Sequence, residues 1–88
     1  MLTPEELEND KIEVAESLAK LYKNKDFQKI IMKAYLEDGS KFITRNLSKV
    51  KPEIRESLQE EYMARSLLWR FLDGIEEEAR NILEARSM

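Results

Sequence analysis

The chain has 88 residues, so it forms one domain at most, near the lower end of the sizes that can bury an independent core. It contains no cysteine and no histidine, which excludes disulfides, thiolate nucleophiles, imidazole bases and the common zinc, haem and iron–sulfur sites. The first residues lack a signal-peptide pattern, and no stretch approaches the roughly 18 apolar residues of a membrane helix. We therefore expect a cytoplasmic protein without a membrane anchor.

Only two glycines and two prolines occur, and 38 % of the residues are charged, which is typical of a helix-rich chain. The charges are segregated along the sequence. Residues 1–19 carry one base and six acids, residues 20–55 carry ten bases and four acids, and residues 56–88 carry four bases and eight acids. A basic block between acidic ends favours charge complementarity between molecules, for example between two copies.

The first predicted helix covers about residues 4–23. Thr3 and Glu6 have the spacing of a capping box, and Pro4 suits the first helical position, where a missing N–H costs nothing. Apolar residues then recur at helical spacing, at Leu7, Val14, Leu18 and Leu21. They form a narrow apolar strip, so this helix can bury only a small part of the apolar surface of its neighbours.

The second predicted helix covers about residues 25–47. Asn24 can cap its start, and the densest helical pattern in the chain follows, at Phe27, Ile30, Ile31, Ala34 and Tyr35. Gly39 could end the helix, but the apolar spacing stays in phase beyond it. We expect the helix to continue through Gly39 at a cost of about 1 kcal/mol.

The third predicted helix covers about residues 52–85. Pro52 excludes Lys51 from the helical region and suits a first helical position, so the one true turn is expected between residues 47 and 51. The predicted fold is thus all-α: an antiparallel helical hairpin of two long helices, preceded by a shorter N-terminal helix. Coiled-coil-like packing of helices is expected within it.

The centre of the third helix is apolar around roughly 200° of its circumference, about twice the width of a one-sided helix. The residues responsible are Tyr62, Ala64, Leu67, Leu68, Trp69, Phe71 and Leu72. The other helices of the chain could cover this surface, or a second subunit could cover part of it. The candidate partner-binding residues are Tyr62, Leu67, Trp69 and Phe71, because aromatic side chains dominate protein interfaces.

Charged residues in this helix support no catalytic or metal site. Glu61 and Arg65 interrupt the apolar seam at a spacing of four, where they could form an ion pair or lie at its edge. The acidic residues around them and at positions 73–78 are interpreted as a solvated face, since helical di-metal sites also need histidine. We predict a protein that is not an enzyme and has no cofactor and no metal.

A basic line recurs every four residues on the second helix, at Lys41, Arg45 and Lys49. A line of this kind could contact a phosphate backbone or an acidic protein surface. The acidic net charge and the lack of a separate element for reading bases disfavour nucleic acid.

Two segments carry a resemblance to a known class of proteins. The sequence NKDFQKIIMKAYLED at residues 24–38 is followed by ARSLLWRFLDGI at residues 64–75. Together they resemble small helical-hairpin proteins encoded among the head and tail genes of tailed bacteriophages, over about residues 24–84. The sequence differs from the usual pattern at Lys25, where proline is common, at Ala34, where glycine is usual, and in having Gly39 and Ser40 within a helix.

The resemblance implies an accessory structural or assembly role in a phage particle, in the cytoplasm of the infected host or associated with the virion. It implies no catalytic residues. The leading hypothesis is therefore a non-enzymatic assembly protein that self-associates or binds a larger phage or host protein. The alternatives are a nucleic-acid-binding or DNA-packaging accessory, and a small inhibitor or adaptor that docks on a host protein.

Overall fold

Three helices run through residues 2–88, the part of the chain that the computed structural model describes. Helix α1 spans Pro4–Tyr22, and helix α3 spans Pro52–Arg86. Helix α2 is continuous over residues 25–46, and the 3-10 turn Leu47–Lys49 follows it. No strand occurs in these described residues, so the prediction of an all-helical chain is confirmed.

Local capping explains where α1 and α2 begin. The Thr3 hydroxyl accepts a hydrogen bond from the Glu6 N–H at 3.2 Å, and the Glu6 carboxylate accepts one from the Thr3 N–H at 3.3 Å. This reciprocal pair satisfies two N–H groups that a helix start leaves without partners. At the start of α2, the Asn24 side chain accepts from the Phe27 N–H at 3.0 Å.

A single arginine closes the turn between α2 and α3. Lys51 has an extended backbone, and Pro52 begins α3. Arg55 Nε donates to the Leu47 carbonyl at 3.1 Å, and Arg55 Nη2 donates to the Val50 carbonyl at 3.4 Å. Both carbonyl groups belong to the segment that connects the two helices, so Arg55 stabilises the turn.

Helix α2 has a wide middle section. Lys25–Phe27 and Gly39–Asn46 are α-helical, whereas Gln28–Asp38 is a π-helix closed by i→i+5 hydrogen bonds. The last such bond recorded runs from the Gly39 N–H to the Ala34 carbonyl. Where i→i+5 bonding gives way to i→i+4 bonding, the ladder skips one carbonyl, which then needs another donor.

Arg65 of α3 supplies a donor at this junction. Its Nε donates to the Tyr35 carbonyl at 3.0 Å, and its guanidinium carbon lies 4.4 Å from the centroid of the Tyr35 ring, a cation–π contact. Its Nη1 donates to the main-chain carbonyl of Glu61 at 3.0 Å. Arg65 therefore binds carbonyl oxygens on both helices, and no ion pair with the Glu61 carboxylate is recorded in the described part of the chain.

Gly39 leaves the space through which Arg65 reaches α2. A Cβ at position 39 would lie 2.6 Å from Arg65 Nε and 3.3 Å from the Ala34 carbonyl oxygen. A larger residue would displace the guanidinium group from the Tyr35 carbonyl. The backbone of Gly39 is ordinary right-handed helix. The close approach of Arg65, and no special backbone conformation, therefore explains the glycine.

We expect Gly39→Ala to change the free energy of unfolding by less than about 0.5 kcal/mol. The gain of about 1 kcal/mol in helix propensity is offset by loss of the Arg65 hydrogen bond. In an Arg65→Ala background the same substitution should stabilise by about 0.5–1 kcal/mol, because the displaced group is gone. Urea denaturation of the four proteins of this cycle measures the difference. An equal effect in both backgrounds would contradict the role given to Arg65.

All three helices contribute to one core. Leu18 of α1, Leu36 of α2 and Leu72 of α3 are buried together, with six partly buried side chains packed around them: Tyr22, Ile31, Met32, Tyr35, Leu68 and Ile75. Helix α1 is therefore packed on the other two.

Polar contacts connect the N-terminal part of α1 to the C-terminal part of α3. Arg86 donates to the Glu8 carboxylate at 3.4 Å and to the Asn9 side chain at 2.9 Å, and Lys11 lies 3.8 Å from Glu78. All of these side chains are exposed, so each ion pair contributes roughly 0–1 kcal/mol.

The molecule is elongated, with extents of 53 × 28 × 26 Å. Its radius of gyration of 17.4 Å exceeds the roughly 12 Å of a compact domain of this length. Among the described residues, five hydrophobic side chains are buried and fourteen large ones are exposed. Much of the apolar surface is therefore available for contact with other molecules.

Candidate partner-binding cleft

A cleft of about 980 Å³ lies between α2 and α3. Its α2 wall consists of Lys25, Gln28, Lys29, Met32, Lys33, Leu36, Glu37 and Ser40, and its α3 wall consists of Tyr62, Arg65, Ser66, Trp69 and Arg70. The volume is in the range of clefts that bind ligands or protein segments. We call it the α2–α3 cleft.

The π-helical section accounts for the length of the α2 wall. Residues that line the cleft recur every four positions, from Lys25 to Glu37 and from Gln28 to Ser40. A step of four exceeds one turn of α-helix and falls short of one turn of a helix closed by i→i+5 bonds. Side chains spaced by four therefore shift gradually in one direction around an α-helix and in the opposite direction around a helix closed by i→i+5 bonds. Because α2 contains both kinds of helix, the two shifts offset each other, and these side chains stay on one side of α2.

Two aromatic side chains form the accessible apolar surface of the cleft. Tyr62 is 42 % exposed and Trp69 is 47 % exposed, and both lie on the α3 wall. Met32 is half-buried and Leu36 is buried against the core beneath them. Large aromatic groups that are only half covered are the usual anchors of protein interfaces.

Most charged side chains that line the cleft are basic. Lys25, Lys29, Lys33, Arg65 and Arg70 line it, with Glu37 as the acidic residue of that lining. Lys33 pairs with Asp38 at 3.1 Å, and Arg65 is held by carbonyl groups. Lys25, Lys29 and Arg70 take part in no ion pair recorded for residues 2–88. The edge of the cleft is therefore suited to an acidic partner.

The structure separates the four predicted partner-binding residues. Tyr62 and Trp69 line the α2–α3 cleft, whereas Leu67 and Phe71 do not. At 100° per residue, Phe71 lies about 200° around α3 from Trp69. Leu67 and Phe71 are 54 % and 65 % exposed and form, with Met63, a second apolar strip on the outer side of α3.

The predicted basic line lies outside the cleft. Lys41 pairs with Glu37 at 3.1 Å, Arg45 is exposed on α2, and Lys49 lies in the 3-10 turn. The cleft instead has Lys25, Lys29 and Lys33, which sequence reasoning did not single out. A signal was present, because the four-residue spacing of the basic line continues back to Lys25, with Glu37 as its interruption.

A second, smaller hollow of about 430 Å³ adjoins the cleft where α1 meets α2. Gln28, Met32 and Trp69 line both spaces, and Tyr22, Asp73 and Glu76 complete the hollow. Burial raises the pKa of Tyr22 from its ordinary 10.0 to about 12, with further contributions from the carboxylates of Glu76 and Asp73. The charged side chains that line this hollow are thus acidic.

Because the neutral form of Tyr22 is favoured in the folded protein, the stability it contributes should be complete below pH 10 and lost as the pH rises through about 12. We expect Tyr22→Phe to lose less stability than the wild type between these two pH values. Urea denaturation across this range measures the difference. If the free energy of unfolding fell equally with pH in the two proteins, the raised pKa of Tyr22 would be contradicted.

Two further searches of the described residues concern metal sites and membrane spans. No group of three or more acidic side chains within residues 2–88 is placed to bind a metal ion. Over the same part of the chain, no helix is both long enough and apolar enough to cross a membrane. Comparison of the sequence and structure with protein-family models, curated proteins and solved structures finds no significant match.

Proposed function

We propose that this chain is a non-enzymatic structural or assembly accessory protein of a tailed bacteriophage that works through helix–helix contacts and associates with itself. The observation that carries the proposal is the α2–α3 cleft, with half-exposed Tyr62 and Trp69 beside unpaired basic side chains. The lack of cysteine and histidine in the sequence and the resemblance at residues 24–84 support it further. The protein would act in the cytoplasm of the infected host or within the virion.

We place the cleft on an antiparallel hairpin of α2 and α3. Two contacts support this arrangement: Arg55 to Leu47 beside the turn, and Arg65 to Tyr35 farther from it. In each pair the two residues are at similar distances from the turn along their own helices, as neighbours in a hairpin are. Such a scaffold holds both walls of the cleft without a partner, which reduces the entropy lost on binding.

Site-specific photo-cross-linking tests the proposal. A photoreactive residue at Ser66, in the cleft, is compared with one at Ser57, an exposed serine of α3 outside it. In cells that produce the protein from its own genome, we expect Ser66 to capture one defined protein, either a second copy or a phage structural protein. Equal labelling from both positions would contradict the proposal. Capture of a host enzyme at Ser66 would instead support the inhibitor or adaptor alternative.

Nucleic-acid binding is the second candidate, and it is favoured by the basic side chains that recur every four residues on α2. The carboxylates of Asp73 and Glu76 oppose it, because they line the hollow that adjoins the cleft and would repel a phosphate backbone that extended into it. Titration of labelled single-stranded and double-stranded oligonucleotides at about 50 mM salt decides, since phosphate contacts strengthen as salt falls. Absence of binding there would remove this alternative.

A further inference from the structure

The protein exposes more surface than a compact chain of its size. Its accessible surface is 7111 Å², whereas a compact protein of the same mass exposes about 5,400 Å². The difference of about 1,700 Å² corresponds to two interfaces of standard size, each of which covers roughly 800 Å² on one partner. The exposed area is therefore large enough for two contact surfaces on every molecule.

The strip of Met63, Leu67 and Phe71 faces away from the cleft. At 100° per residue, the α3 side chains that line the cleft lie about 20–160° to one side of buried Leu72. The strip lies about 100–180° to the other side, and its three side chains are 54–65 % exposed. The cleft and the strip are thus separate surfaces of the same helix.

Every charged side chain on the strip's side of α3 is acidic. Between about 60° and 180° from Leu72 on this side lie no base and four exposed carboxylates, those of Glu53, Glu56, Glu60 and Glu78. Of these, only Glu78 takes part in an ion pair recorded for residues 2–88. The strip is therefore suited to a basic partner.

Gly74 removes a side chain from this surface. It follows Phe71 by three residues and so lies on the same side of α3, and a Cβ at position 74 would lie within 4 Å of no other helix. Unlike Gly39, it accommodates no contact within the described part of the chain, although glycine destabilises a helix relative to alanine. A neighbouring molecule that packs closely on the strip accounts for it.

The α2–α3 cleft has the complementary surface. Met32, Tyr62 and Trp69 provide its apolar area, and five of the six charged side chains that line it are basic. Between two copies, a cleft against a cleft would bring bases together, and a strip against a strip would bring acids together. A strip in a cleft is the arrangement that brings opposite charges together.

We infer that the α2–α3 cleft of one molecule receives the strip of a second copy, an inference that rests on the proposed function and names the occupant of the same site. The strip from Glu60 to Phe71 is about 17 Å long, and the α2 wall from Lys25 to Ser40 is about 20 Å long. The strip therefore fits the cleft in length as well as in charge. Because each molecule carries both surfaces, copies join head to tail into rings or open filaments.

A mixing experiment with two variants of the full chain tests the inference. Lys29→Glu reverses a charge in the cleft, and Leu67→Glu places a carboxylate in the strip. Both positions are exposed, so the fold should survive, as far-UV circular dichroism would verify. We expect each variant alone to associate about tenfold more weakly than the wild type in sedimentation experiments.

The mixture should recover association. The intact strip of the Lys29→Glu variant fits the intact cleft of the Leu67→Glu variant, whereas the other two surfaces are both altered. We therefore expect a dimer of one copy of each variant at concentrations where either variant alone is monomeric. Met63→Glu, at a position of the same strip that is 57 % exposed, replaces Leu67→Glu if that variant does not fold.

Arg45→Glu is the matched control, because it makes the same charge change as Lys29→Glu on α2 outside the cleft lining. Equal weakening by these two variants would overturn the inference, as would a mixture that stays monomeric. Weakening by only one of Lys29→Glu and Leu67→Glu would overturn it in favour of a contact between two clefts or two strips.

A wild-type chain that stays monomeric at high micromolar concentration would overturn the inference too. Selective capture of a different protein at Ser66 would then leave the cleft standing as a binding site.

Discussion

Replacing Leu72 by alanine is expected to lower the free energy of unfolding by about 2–5 kcal/mol. Leu72 is 6 % exposed and packs with Leu18 and Leu36, so it joins all three helices. A protein of 88 residues has a total stability of about 4–13 kcal/mol, and this one substitution removes a large part of it. Urea denaturation followed by circular dichroism measures the change.

Leu83→Ala is the matched control for Leu72→Ala. Leu83 lies on the same helix and is 52 % exposed, so the same chemical change should cost less than about 1 kcal/mol. Similar losses for the two variants would mean that the core is not where the structure has it.

Replacing Trp69 by alanine is expected to weaken association by about 30-fold or more, equivalent to about 2 kcal/mol of binding free energy. Trp69 is 47 % exposed in the free molecule and lines the cleft, so its remaining surface is available to a partner. The same substitution should affect unfolding far less than Leu72→Ala does. Sedimentation across concentration measures association, and urea denaturation measures stability.

Phe71→Ala separates the two apolar surfaces of α3. Phe71 is 65 % exposed and lies outside the cleft, on the strip that the cleft of a second copy receives, so its loss should weaken association and leave the variant's own cleft intact. If Phe71→Ala weakened association and Trp69→Ala did not, the interface would be the strip of Met63, Leu67 and Phe71 alone.

For Trp69→Ala, a loss of folding free energy as large as the loss of association free energy would mean that Trp69 is only a core residue.

The all-helical fold could be predicted because its signals are local. The capping pair of Thr3 and Glu6, the cap at Asn24 and the turn before Pro52 each depend on a few neighbouring residues. Apolar spacing of three and four then indicates helix in between. Continuation through Gly39 was also expected, since a glycine costs a helix only about 1 kcal/mol.

The π-helix and the role of Arg65 could not be predicted in the same way. A shift from i→i+4 to i→i+5 bonding changes main-chain partners, and side-chain spacing does not record it. The sequence suggested an ion pair of Arg65 with Glu61 or a position at the edge, whereas the structure directs the guanidinium group to the Tyr35 carbonyl. Such a contact depends on how two helices are placed relative to each other.

The cleft was predictable in part. The sequence predicts Tyr62, Leu67, Trp69 and Phe71 as contact residues, and of these Tyr62 and Trp69 line the cleft, whereas Leu67 and Phe71 do not. A segment that is apolar around most of its circumference does not indicate which of its sides faces a neighbouring helix. The basic side chains of the cleft were overlooked because Glu37 interrupts their spacing.

The wide section at Gln28–Asp38 also fixes the rotational phase between the two ends of α2. Rewinding this section as ordinary α-helix at unchanged length would rotate the preceding part relative to Ile43, which is buried in the following part, because each residue turns by more in an α-helix than in a helix closed by i→i+5 bonds. Lys25 and Lys29 would then turn away from α3, although every side chain of the cleft was still encoded. The main-chain bonding of this section, as well as its side chains, therefore decides which residues face the cleft.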